Sequence, residues 1–436
     1  MDITIILPTI RDEYGVLIKK KRATVPNLTI FYLAAFVPQG HNVTVVEEVV
    51  EDIDFDVPTD LVALSVLTLN SNRAYEIAYE YRKRGVTVVM GGIHPSLLPD
   101  EAAEHADSVV IGEAEDTWPR LIDDFQHGAM RHTYREAKRE SLANLPHPRY
   151  SLIKSNKYLR NLRSRSPIIP IQTSRGCPFN CDFCSVTRFW GRKVRYRPIE
   201  DVVQEILASH GKTFFFTDDN FLSNPERTME ICEVIKPLKI KWVCQLDTNA
   251  YKHKEIIKAM ADSGCFIAFL GFESLNPSTL RSMNKGFNEP ENYSELFRVF
   301  SWYGIAIYAS FIFGSDGDSP ETVLSTVNFL VANKAKSAAF FPLAPYPGTE
   351  LYRRINEAGR LPSEKWWLSN DSERIKYGPN EKSGIELTRM AYKSFFSYPS
   401  IIKRFFPPKK NILFPLMYNL IVNKKFKKSD SIMAII

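Results

Sequence analysis

The feature that most constrains how this chain can fold is a repeated alternation of short apolar runs with amphipathic stretches. In the N-terminal part the apolar runs are ITIILP, DLVALSVL, VTVVMGG and SVVIGE. Strands built of continuous Val, Ile and Leu are typical of a parallel sheet that helices cover on both faces. The sequence therefore predicts the α/β class, beginning with a doubly wound Rossmann-like domain over residues 1–130. A ligand of such a domain would lie beyond the carboxyl ends of the strands.

The alternation resumes after a polar, basic connector, which is predicted over residues 131–164. Six further apolar runs, from IIPIQT to SAAFFPL, are separated by helix-like stretches and predict a partial, TIM-like (β/α)6 barrel over residues 165–355. In such barrels function resides in the loops that follow the strands. Residues 356–436 are predicted to form a small, mostly helical region that is rich in basic and apolar residues.

Half of the chain's 6 cysteines lie in one loop, directly after the first barrel strand. Cys177, Cys181 and Cys184 form a C-x3-C-x2-C pattern among Gly, Pro and Asn, which favour a turning loop. Three soft thiolates suit zinc or an iron–sulfur cluster. Zinc usually takes a fourth ligand, which no nearby Cys or His is placed to supply, whereas a [4Fe–4S] cluster can use three thiolates and leave one iron open. Structural cysteines, reduced or zinc-bound, are the alternative. The isolated cysteines are predicted to be buried small apolar residues: Cys232, Cys244 and Cys265.

The cysteine loop, SRGCPFNCDFCSV, resembles the signature of the radical S-adenosylmethionine (SAM) enzymes, with Phe183 just before the last cysteine. Further stretches resemble this family in the same order: FFFTDDNF, FLGFES, FIFGSDGDSPET and PLAPYPGTELY. The N-terminal stretches GGIHPSLLPDEA and VVIGEAEDTWPRL resemble the cobalamin-binding domain of the subfamily that includes the anaerobic magnesium-protoporphyrin ester cyclase and the hopanoid methylases. The resemblance implies that the three cysteines hold a [4Fe–4S] cluster, which binds SAM at its open iron and cleaves it to a 5′-deoxyadenosyl radical.

The resemblance also implies a SAM site at the strand ends of the barrel. The residues expected there are Phe183, Asp218, Asp219, Asn220, Gln245, Asp247 and Glu273. Plainer alternatives stay open: the TDDN stretch can cap a turn, Glu273 can be solvated or salt-bridged, and Phe183 can be a hydrophobic anchor. In FGSDGDSPET, a helix N-cap by Asp318 or Ser319 explains the polar residues as well as a contact with adenine does. Tyr346 either lines the site or belongs to a tight PYPGT turn.

Whether the N-terminal domain binds cobalamin stays open at the level of the sequence. The motif D-x-H-x-x-G, whose histidine ligates cobalt in many cobalamin domains, does not occur, and neither His41 nor His94 has its context. Members of the resembling subfamily often lack this ligand, so the domain is expected either to bind cobalamin or to serve as a scaffold. The residues expected beneath a corrin are Ser65, Thr68, Gly91 and Gly92.

The C-terminal region interleaves aromatic and aliphatic residues with Lys and Arg, and it contributes strongly to the net charge of +6. This composition suits contact with the surface of an anionic bilayer, and a helix packed on the barrel is the alternative. Nucleic acid is not expected, because no recognised nucleic-acid module appears. Neither a signal peptide nor a transmembrane run is expected, so the predicted location is cytoplasmic, at the inner membrane surface if this region binds lipid.

The predicted function is reductive cleavage of SAM followed by modification of an unactivated carbon. The leading reaction is cobalamin-dependent C-methylation of a hydrophobic or lipid-like small molecule, with an electron donor such as flavodoxin or ferredoxin as partner. Without cobalamin, the expected chemistry is radical C–C coupling, cyclisation or rearrangement. The alternative from another class is a non-catalytic module that binds zinc or an iron–sulfur cluster.

Overall fold

A computed structural model describes residues 1–159, 166–368, 383–406, 413–428 and 431–432. Within these residues the chain contains two parallel sheets of six strands each, a two-stranded antiparallel sheet and helices that cover both large sheets. The predicted architecture is confirmed: a Rossmann-like sheet comes first, a barrel-like sheet follows, and the C-terminal region is helical.

The N-terminal sheet is parallel throughout. Its strands are β1 (Asp2–Leu7), β2 (Asn42–Glu47), β3 (Leu61–Ser65), β4 (Thr87–Gly91), β5 (Ser108–Ile111) and β6 (Thr133–Arg135). The helices between them are α1 (Leu28–Ala35), α2 (Ser71–Lys83), α3 (Ile93–Leu97), α4 (Pro99–His105) and α5 (Thr117–Gln126). The strand order is β2-β1-β3-β4-β5-β6. Apolar side chains of α2 pack on one face and those of α1 and α5 on the other, so every residue of the central strand β3 is buried.

The second sheet is an open, six-stranded barrel segment. The strands of this half are β7 (Ile169–Ile171), β8 (Ser174–Arg175), β9 (Arg195–Tyr196), β10 (Thr213–Phe216), β11 (Lys241–Leu246), β12 (Cys265–Glu273), β13 (Ala306–Phe313) and β14 (Ser337–Pro342). Strands β7, β10, β11, β12, β13 and β14 pair in parallel in that order. The barrel is partial because β7 and β14 remain its two edges, and β8 and β9 form a separate antiparallel hairpin.

Helices follow the barrel strands in turn. They are α6 (Val186–Phe189), α7 (Ile199–Ala208), α8 (Pro225–Ile235), α9 (Lys254–Asp262), α10 (Pro277–Ser282), α11 (Tyr293–Trp302), α12 (Pro320–Ala332) and α13 (Glu350–Glu357). Short 3-10 turns occur at Thr68–Asn70, Tyr150–Leu152, Ser155–Lys157, Lys236–Leu238, Thr248–Lys252, Pro290–Asn292 and Trp366–Leu368. Three of these barrel helices begin with a capping side chain directly followed by proline, at Asn224, Asn276 and Ser319. These caps fix where each strand-end loop stops, because the cap accepts a free N–H and proline has none to satisfy.

Aromatic side chains stack on one another in the core of the barrel, among a larger number of aliphatic ones. The ring of Phe272 lies 5.5 Å from that of Phe297 and 5.4 Å from that of Phe311. Trp242 and Phe340 are fully buried in the same core. The three isolated cysteines are buried here as predicted, at Cys232, Cys244 and Cys265.

Three helices complete the described chain: α14 (Gly384–Phe395), α15 (Tyr398–Phe405) and α16 (Leu413–Lys428). The rings of Tyr392 and Phe395 on α14 lie 5.2 and 5.7 Å from that of Phe340 on β14, so this region packs on the barrel. Within the described residues, no helix combines the length and apolar character that crossing a bilayer requires.

Candidate active site

The predicted cluster loop runs from β8 to α6 and presents three partly exposed thiols, those of Cys177, Cys181 and Cys184. Gly176 opens the loop with a φ of 97°, and a Cβ at this position would lie 3.0 Å from the carbonyl oxygen of Lys193. Only glycine combines this backbone conformation with so close an approach. The loop leaves the sheet beyond the carboxyl end of β7, which is the edge where barrel enzymes place their chemistry.

Two adjacent aspartates after β10 hold the start of this loop. The fully buried carboxylate of Asp218 accepts hydrogen bonds from the backbone N–H and hydroxyl groups of both Thr173 and Ser174. Asp219 accepts a hydrogen bond from the N–H of Gly176 at 3.0 Å, and burial raises the pKa of Asp219 to about 6. The carboxylate of Asp218 is thus engaged by the start of the cluster loop, and its contact with SAM stays a prediction. Asp219 is the member of the pair that lies beside the thiols.

The outer side of the loop is anchored by the segment that follows α10. The rings of Phe179 and Phe287 stack with their centroids 3.8 Å apart. The side chain of Asn284 donates a hydrogen bond to the carbonyl oxygen of Asn180 at 2.6 Å. The loop is thus held from both sides, which restricts where the three thiols can move.

The three thiols share one electrostatic environment. Burial raises the pKa of Cys177 to about 11 and that of Cys181 to about 12, and it raises the pKa of Cys184 as well. Neighbouring cysteines add to the rise for Cys177 and Cys181, whereas the ammonium group of Lys285 opposes it for all three. In the free protein the thiols are therefore protonated at neutral pH, and iron must displace these protons as it binds.

Within the described residues, no three His, Cys, Asp or Glu side chains converge on a position for a single metal ion. A [4Fe–4S] cluster does not require such convergence, because each of three thiolates binds a different iron atom. Three adjacent thiols on one doubly anchored loop fit a cluster that is held at three corners.

A buried ion pair lies beside the thiols, and the sequence analysis did not identify its lysine. Glu273 ends β12 with a φ of 62° and accepts a hydrogen bond from the ammonium group of Lys285 at 2.6 Å. The two residues are only 6% and 8% exposed. A Cβ on Gly271 would lie 2.4 Å from Oε1 of Glu273, so the neighbouring backbone leaves just enough room for the pair. Glu273 is therefore salt-bridged, which is one of the alternatives that the sequence left open.

The other residues expected at the SAM site lie at neighbouring strand ends. Asn220 donates a hydrogen bond to the carboxylate of Asp247 at 2.9 Å, which joins the loop after β10 to the end of β11. Gln245 is exposed near the end of β11, and its amide lies 3.4 Å from the carbonyl oxygen of Asp218. Phe183 packs into an apolar cluster that contains Leu351, in agreement with its role as an anchor. Carboxylates and amides from β10, β11 and β12 thus line one edge of the barrel.

The polar residues after β13 have structural roles. Ser319 forms a reciprocal capping box with Thr322 at the start of α12. The carboxylate of Asp318 accepts hydrogen bonds from the N–H groups of Gly314 and Ser315, each at 2.9 Å. The capping alternative therefore accounts for Asp318 and Ser319. Tyr346 belongs to the same apolar cluster as Phe183.

A cleft of about 210 Å³ lies between the carboxyl ends of the two sheets and is lined from both. Three of the four residues expected beneath a corrin line it, namely Ser65, Gly91 and Gly92. The barrel contributes Gln172 and Arg175, the latter two residues before Cys177. The corrin edge predicted for the N-terminal domain and residues that flank the three cysteines thus line the same cleft.

Thr68 does not lie in this cleft. It is buried, and its hydroxyl oxygen lies 3.4 Å from Nδ1 of His94. The turn after β3 therefore keeps Thr68 apart from the three residues that line the cleft, and its contact with a corrin stays a prediction.

Replacing Gly92 with alanine is expected to lower the free energy of unfolding by at least about 2 kcal/mol. Gly92 has a φ of 111° and a ψ of −170°, and a Cβ would lie 2.6 Å from the carbonyl oxygen of Val66. Denaturant unfolding would measure the loss. Gly85→Ala is the control, since Gly85 also has a positive φ but nothing lies within 4 Å of its Cβ position. An equal loss in both variants would contradict the importance of the close contact.

His94 lies in a buried cluster that joins the two halves of the molecule. Its Nε2 atom lies 2.9 Å from the hydroxyl oxygen of Tyr75 and 3.2 Å from Oε1 of Glu101. Glu101 also accepts a hydrogen bond at 2.9 Å from the indole N–H of Trp367, which follows the barrel in sequence. The ring of His94 is therefore occupied by structural partners.

Acidification should lower the free energy of unfolding in part through Glu101. Burial raises the pKa of Glu101, but hydrogen bonds from His94, Trp367 and Tyr75 outweigh it and hold the pKa at about 2. Because this folded-state pKa lies below the ordinary value of 4.5, the contribution is present above pH 4.5 and is lost as the pH falls towards 2. Urea unfolding of the wild type and of Glu101→Gln, at about pH 6 and about pH 3, would measure the difference. If the free energy of unfolding changed with pH equally in the two proteins, Glu101 would not be the source of this pH dependence.

Two family models match the chain in the order of its two sheets. The B12 binding domain matches residues 14–122, and the Radical SAM superfamily matches residues 171–330. Fold and site together therefore define a radical SAM enzyme with an N-terminal B12-binding domain.

The relatives narrow this class. The chain is 33% identical over 347 residues to the bacteriochlorophyllide d C-12(1)-methyltransferase of Chlorobaculum tepidum, covering 77% of this chain and 75% of that protein. It is 31% identical over 423 residues to the C-8(2)-methyltransferase of the same organism, covering 92% and 91%. The chain belongs to the family of cobalamin-dependent radical SAM methyltransferases. The predicted resemblance, enzyme class and cofactors are thereby confirmed.

A solved structure shows the same fold. It is that of the radical SAM methyltransferase TsrM from Kitasatospora setae with tryptophan substrate and the SAM analogue aza-SAM bound. The TM-score is 0.66 at 17% identity, over 96% of this chain and 95% of that chain.

Two groups near the site were missed by sequence reasoning. Lys285 stands in the stretch MNKGF, where nothing marks it as the partner of a residue twelve positions earlier. Arg175 lies in the stretch SRGCPF, but nothing in that stretch indicates that its partners are Glu113 and Glu115 of the other domain.

Proposed function

We propose that this protein is a cobalamin-dependent radical SAM C-methyltransferase that acts on a hydrophobic small molecule. The observation that carries the proposal is the shared cleft. It is lined on one side by Ser65, Gly91 and Gly92, and on the other by residues that lead directly into the cysteine loop. A corrin on the N-terminal edge and a cluster on the barrel edge would therefore both lie close to a substrate in this cleft.

The iron–sulfur cluster and the corrin would each be held by a separate set of residues. Cys177, Cys181 and Cys184 would hold the cluster, and the strand-end loops at Ser65, Gly91 and Gly92 would support the corrin. When bound, these groups supply radical generation from SAM and a transferable methyl group.

Residues at the barrel edge suit the amino-acid part of SAM. The ammonium group of Lys285 can attract its carboxylate, while Asp219 and Glu273 can accept hydrogen bonds from its ammonium group. Lys285 and Glu273 are already paired and buried, so they would be fixed in position before SAM arrives. Gln245 and Asp247 would extend this polar edge towards the ribose. Such preorganisation lowers the cost of binding.

The lining of the cleft favours an apolar substrate. Beside its few charged groups, the cleft is lined by Leu33, Phe36, Ile93, Trp118 and Phe189. The two related methyltransferases act, by their names, on bacteriochlorophyllide d. A tetrapyrrole is therefore the first substrate to test, with a hopanoid or isoprenoid lipid as the second.

Anaerobic reconstitution would test the function. The protein would be loaded with iron, sulfide and cobalamin, then given trideuteromethyl-labelled SAM, bacteriochlorophyllide d or a hopanoid, and either titanium(III) citrate or reduced flavodoxin. The expected results are a corrin absorption spectrum, 5′-deoxyadenosine and a product that carries one labelled methyl group. Formation of 5′-deoxyadenosine without corrin binding would favour the cobalamin-independent alternatives. The absence of both would contradict the proposal.

We also propose that the C-terminal helices contact an anionic bilayer, from which a hydrophobic substrate can be taken. The C-terminal apolar face consists of Tyr398, Ile402, Phe406, Met417, Leu420 and Ile421, all at least 40% exposed. Lys403, Lys424 and Lys425 are exposed on the same two helices, and neither α15 nor α16 contains an acidic residue. A hydrogen bond from Arg404 to Asn419, at 2.8 Å, holds the two helices together. Exposed apolar side chains flanked by lysines match the apolar and anionic layers of a membrane surface.

Vesicle flotation would test this contact. The wild type is expected to float with phosphatidylglycerol vesicles and less so at about 0.5 M salt, which screens charge. The double variant Ile402→Glu, Ile421→Glu should lose at least about tenfold in affinity, since two apolar side chains no longer enter the bilayer. Trp302→Glu is the matched control, because Trp302 is 82% exposed but lies on α11. Equal loss in the control, or a dimer that the double variant dissociates without any flotation, would contradict a bilayer partner.

A further inference from the structure

An ionic junction joins the N-terminal domain to the cluster loop. Nη1 of Arg175 lies 3.0 Å from Oε2 of Glu113 and 2.5 Å from Oε1 of Glu115. All three side chains are at most 6% exposed. Both glutamates follow β5, whereas Arg175 ends β8, two residues before Cys177. A single guanidinium group thus bridges the two edges that face the cleft.

A second arginine balances the charge of this junction. Arg195 is the cross-strand partner of Arg175 in the hairpin, and its Nη1 lies 2.6 Å from Oε1 of Glu113. The indole ring of Trp190 lies 4.8 Å from the guanidinium carbon of Arg175 and 5.9 Å from that of Arg195. Two carboxylates therefore meet two guanidinium groups beside an aromatic ring. Arginine suits this setting because its planar fork binds carboxylates and stacks on aromatic rings.

Both ends of the junction are fixed in the fold. Nε of Arg175 donates a hydrogen bond to the side chain of Gln172 at 2.8 Å, and the N–H of the next residue, Gly176, is held by Asp219. On the other side, Glu113 and Glu115 follow Gly112, which lines the cleft beside Gly91. The guanidinium group therefore has little freedom to move relative to Cys177. The two carboxylates have equally little freedom to move relative to the corrin edge.

We propose that Arg175 is a positioning residue that fixes the separation between the corrin and the cluster. This inference rests on the proposed function. The two groups bind to different domains, so their separation depends on what holds the domains together at the cleft. Transfer between bound groups is sensitive to displacements of about 1 Å. The Arg175 junction connects the two domains at this cleft. Its arginine lies next to the cluster loop, and its two glutamates lie next to the predicted corrin edge.

The test uses Arg175→Lys, which keeps the charge but cannot form the same planar fork. Wild type and variant would be loaded anaerobically with cluster and cobalamin and brought to the state with a [4Fe–4S]+ cluster and cob(II)alamin. They would then be compared by the magnetic dipolar interaction between these two paramagnetic centres. The wild type should give one narrow distribution of distances. The variant should give a broader or displaced one, by at least about 1 Å, with unchanged iron and cobalamin contents. Arg73→Lys is the control, since Arg73 pairs with the buried Glu48 at 2.7 Å within the N-terminal domain alone.

Hydrogen exchange of the unloaded protein gives a second measurement. Backbone amides of residues 113–115 and 174–177 should exchange at least about tenfold faster in Arg175→Lys than in the wild type or Arg73→Lys. If Arg175→Lys fails to fold, the charge-balanced variant Arg175→Gln, Glu115→Gln would take its place. An unchanged distance distribution would overturn the inference, and so would loss of iron, which would assign Arg175 to folding of the loop. A wild type that binds no cobalamin would instead refute the proposed function, while the exchange measurement would still report on the junction.

Discussion

Cys181→Ala should abolish formation of 5′-deoxyadenosine from SAM. Cys181 is the middle thiol of the loop, and a cubane that lost one of three protein ligands would be held at only two corners. Because loss of a partner outside the ligand shell already costs about 10–100-fold in metal affinity or activity, loss of a ligand should cost at least that much. The iron content and the visible absorption of the reconstituted protein should fall together with the product, which liquid chromatography would quantify.

Cys265→Ala provides the matched control for this experiment. Cys265 is a buried cysteine at the start of β12, in the barrel core and outside the cluster loop. Its replacement should leave iron content and product formation near the wild-type level, at a modest cost in stability. If Cys181→Ala retained product, or if Cys265→Ala lost it equally, the assignment of the cluster to this loop would be wrong.

Lys285→Met should lower the free energy of unfolding of the unloaded protein by about 3–5 kcal/mol. The substitution preserves most of the side-chain volume but leaves the carboxylate of Glu273 buried without its cation. In the wild type, burial lowers the pKa of Lys285, but the charge and hydrogen bond of Glu273 together with the charges of Cys181 and Cys184 outweigh this and raise it, so the ammonium group stays charged at neutral pH. Denaturant unfolding would measure the loss, and SAM binding to the reconstituted protein should weaken in parallel.

A double-mutant cycle would isolate the pair. Adding Glu273→Gln to Lys285→Met removes the unpaired charge and should restore most of the stability without restoring SAM binding. Lys258→Met is the control, because Lys258 forms an exposed ion pair with Asp262 on α9 and should change stability little. A Lys285→Met variant as stable as the control would contradict the view that this ion pair is buried and coupled to the site.

The sequence was most informative where a pattern is local. Continuous apolar strands predict both parallel sheets, since a strand buried on two faces can contain few polar residues. The spacing of Cys177, Cys181 and Cys184 identifies the loop, because the ligands are close in sequence as well as in space. The ends of β10, β11 and β12 could be predicted as one edge because parallel strands bring their carboxyl ends together.

What could not be predicted depends on contacts between distant parts of the chain. The sequence shows two adjacent aspartates but not that Asp218 turns inward to the loop while Asp219 remains beside the thiols. It shows Lys285 only as one lysine among many, because the bulge at Gly271 that brings Glu273 towards it is a property of the folded sheet. Thr68 follows a strand as predicted, yet the turn that follows directs it away from the cleft.

The hydrogen bond from Trp367 to Glu101 bears on how enzymes of this kind can be recombined. The N-terminal domain receives a contact from a residue that the chain reaches only after the barrel is complete. A chimaera that exchanges this domain at the connector alone would separate Glu101 from the indole that donates a hydrogen bond to it. A transplant should therefore include both the whole N-terminal sheet, through β6, and the short segment around Trp367, as two pieces of one exchangeable unit.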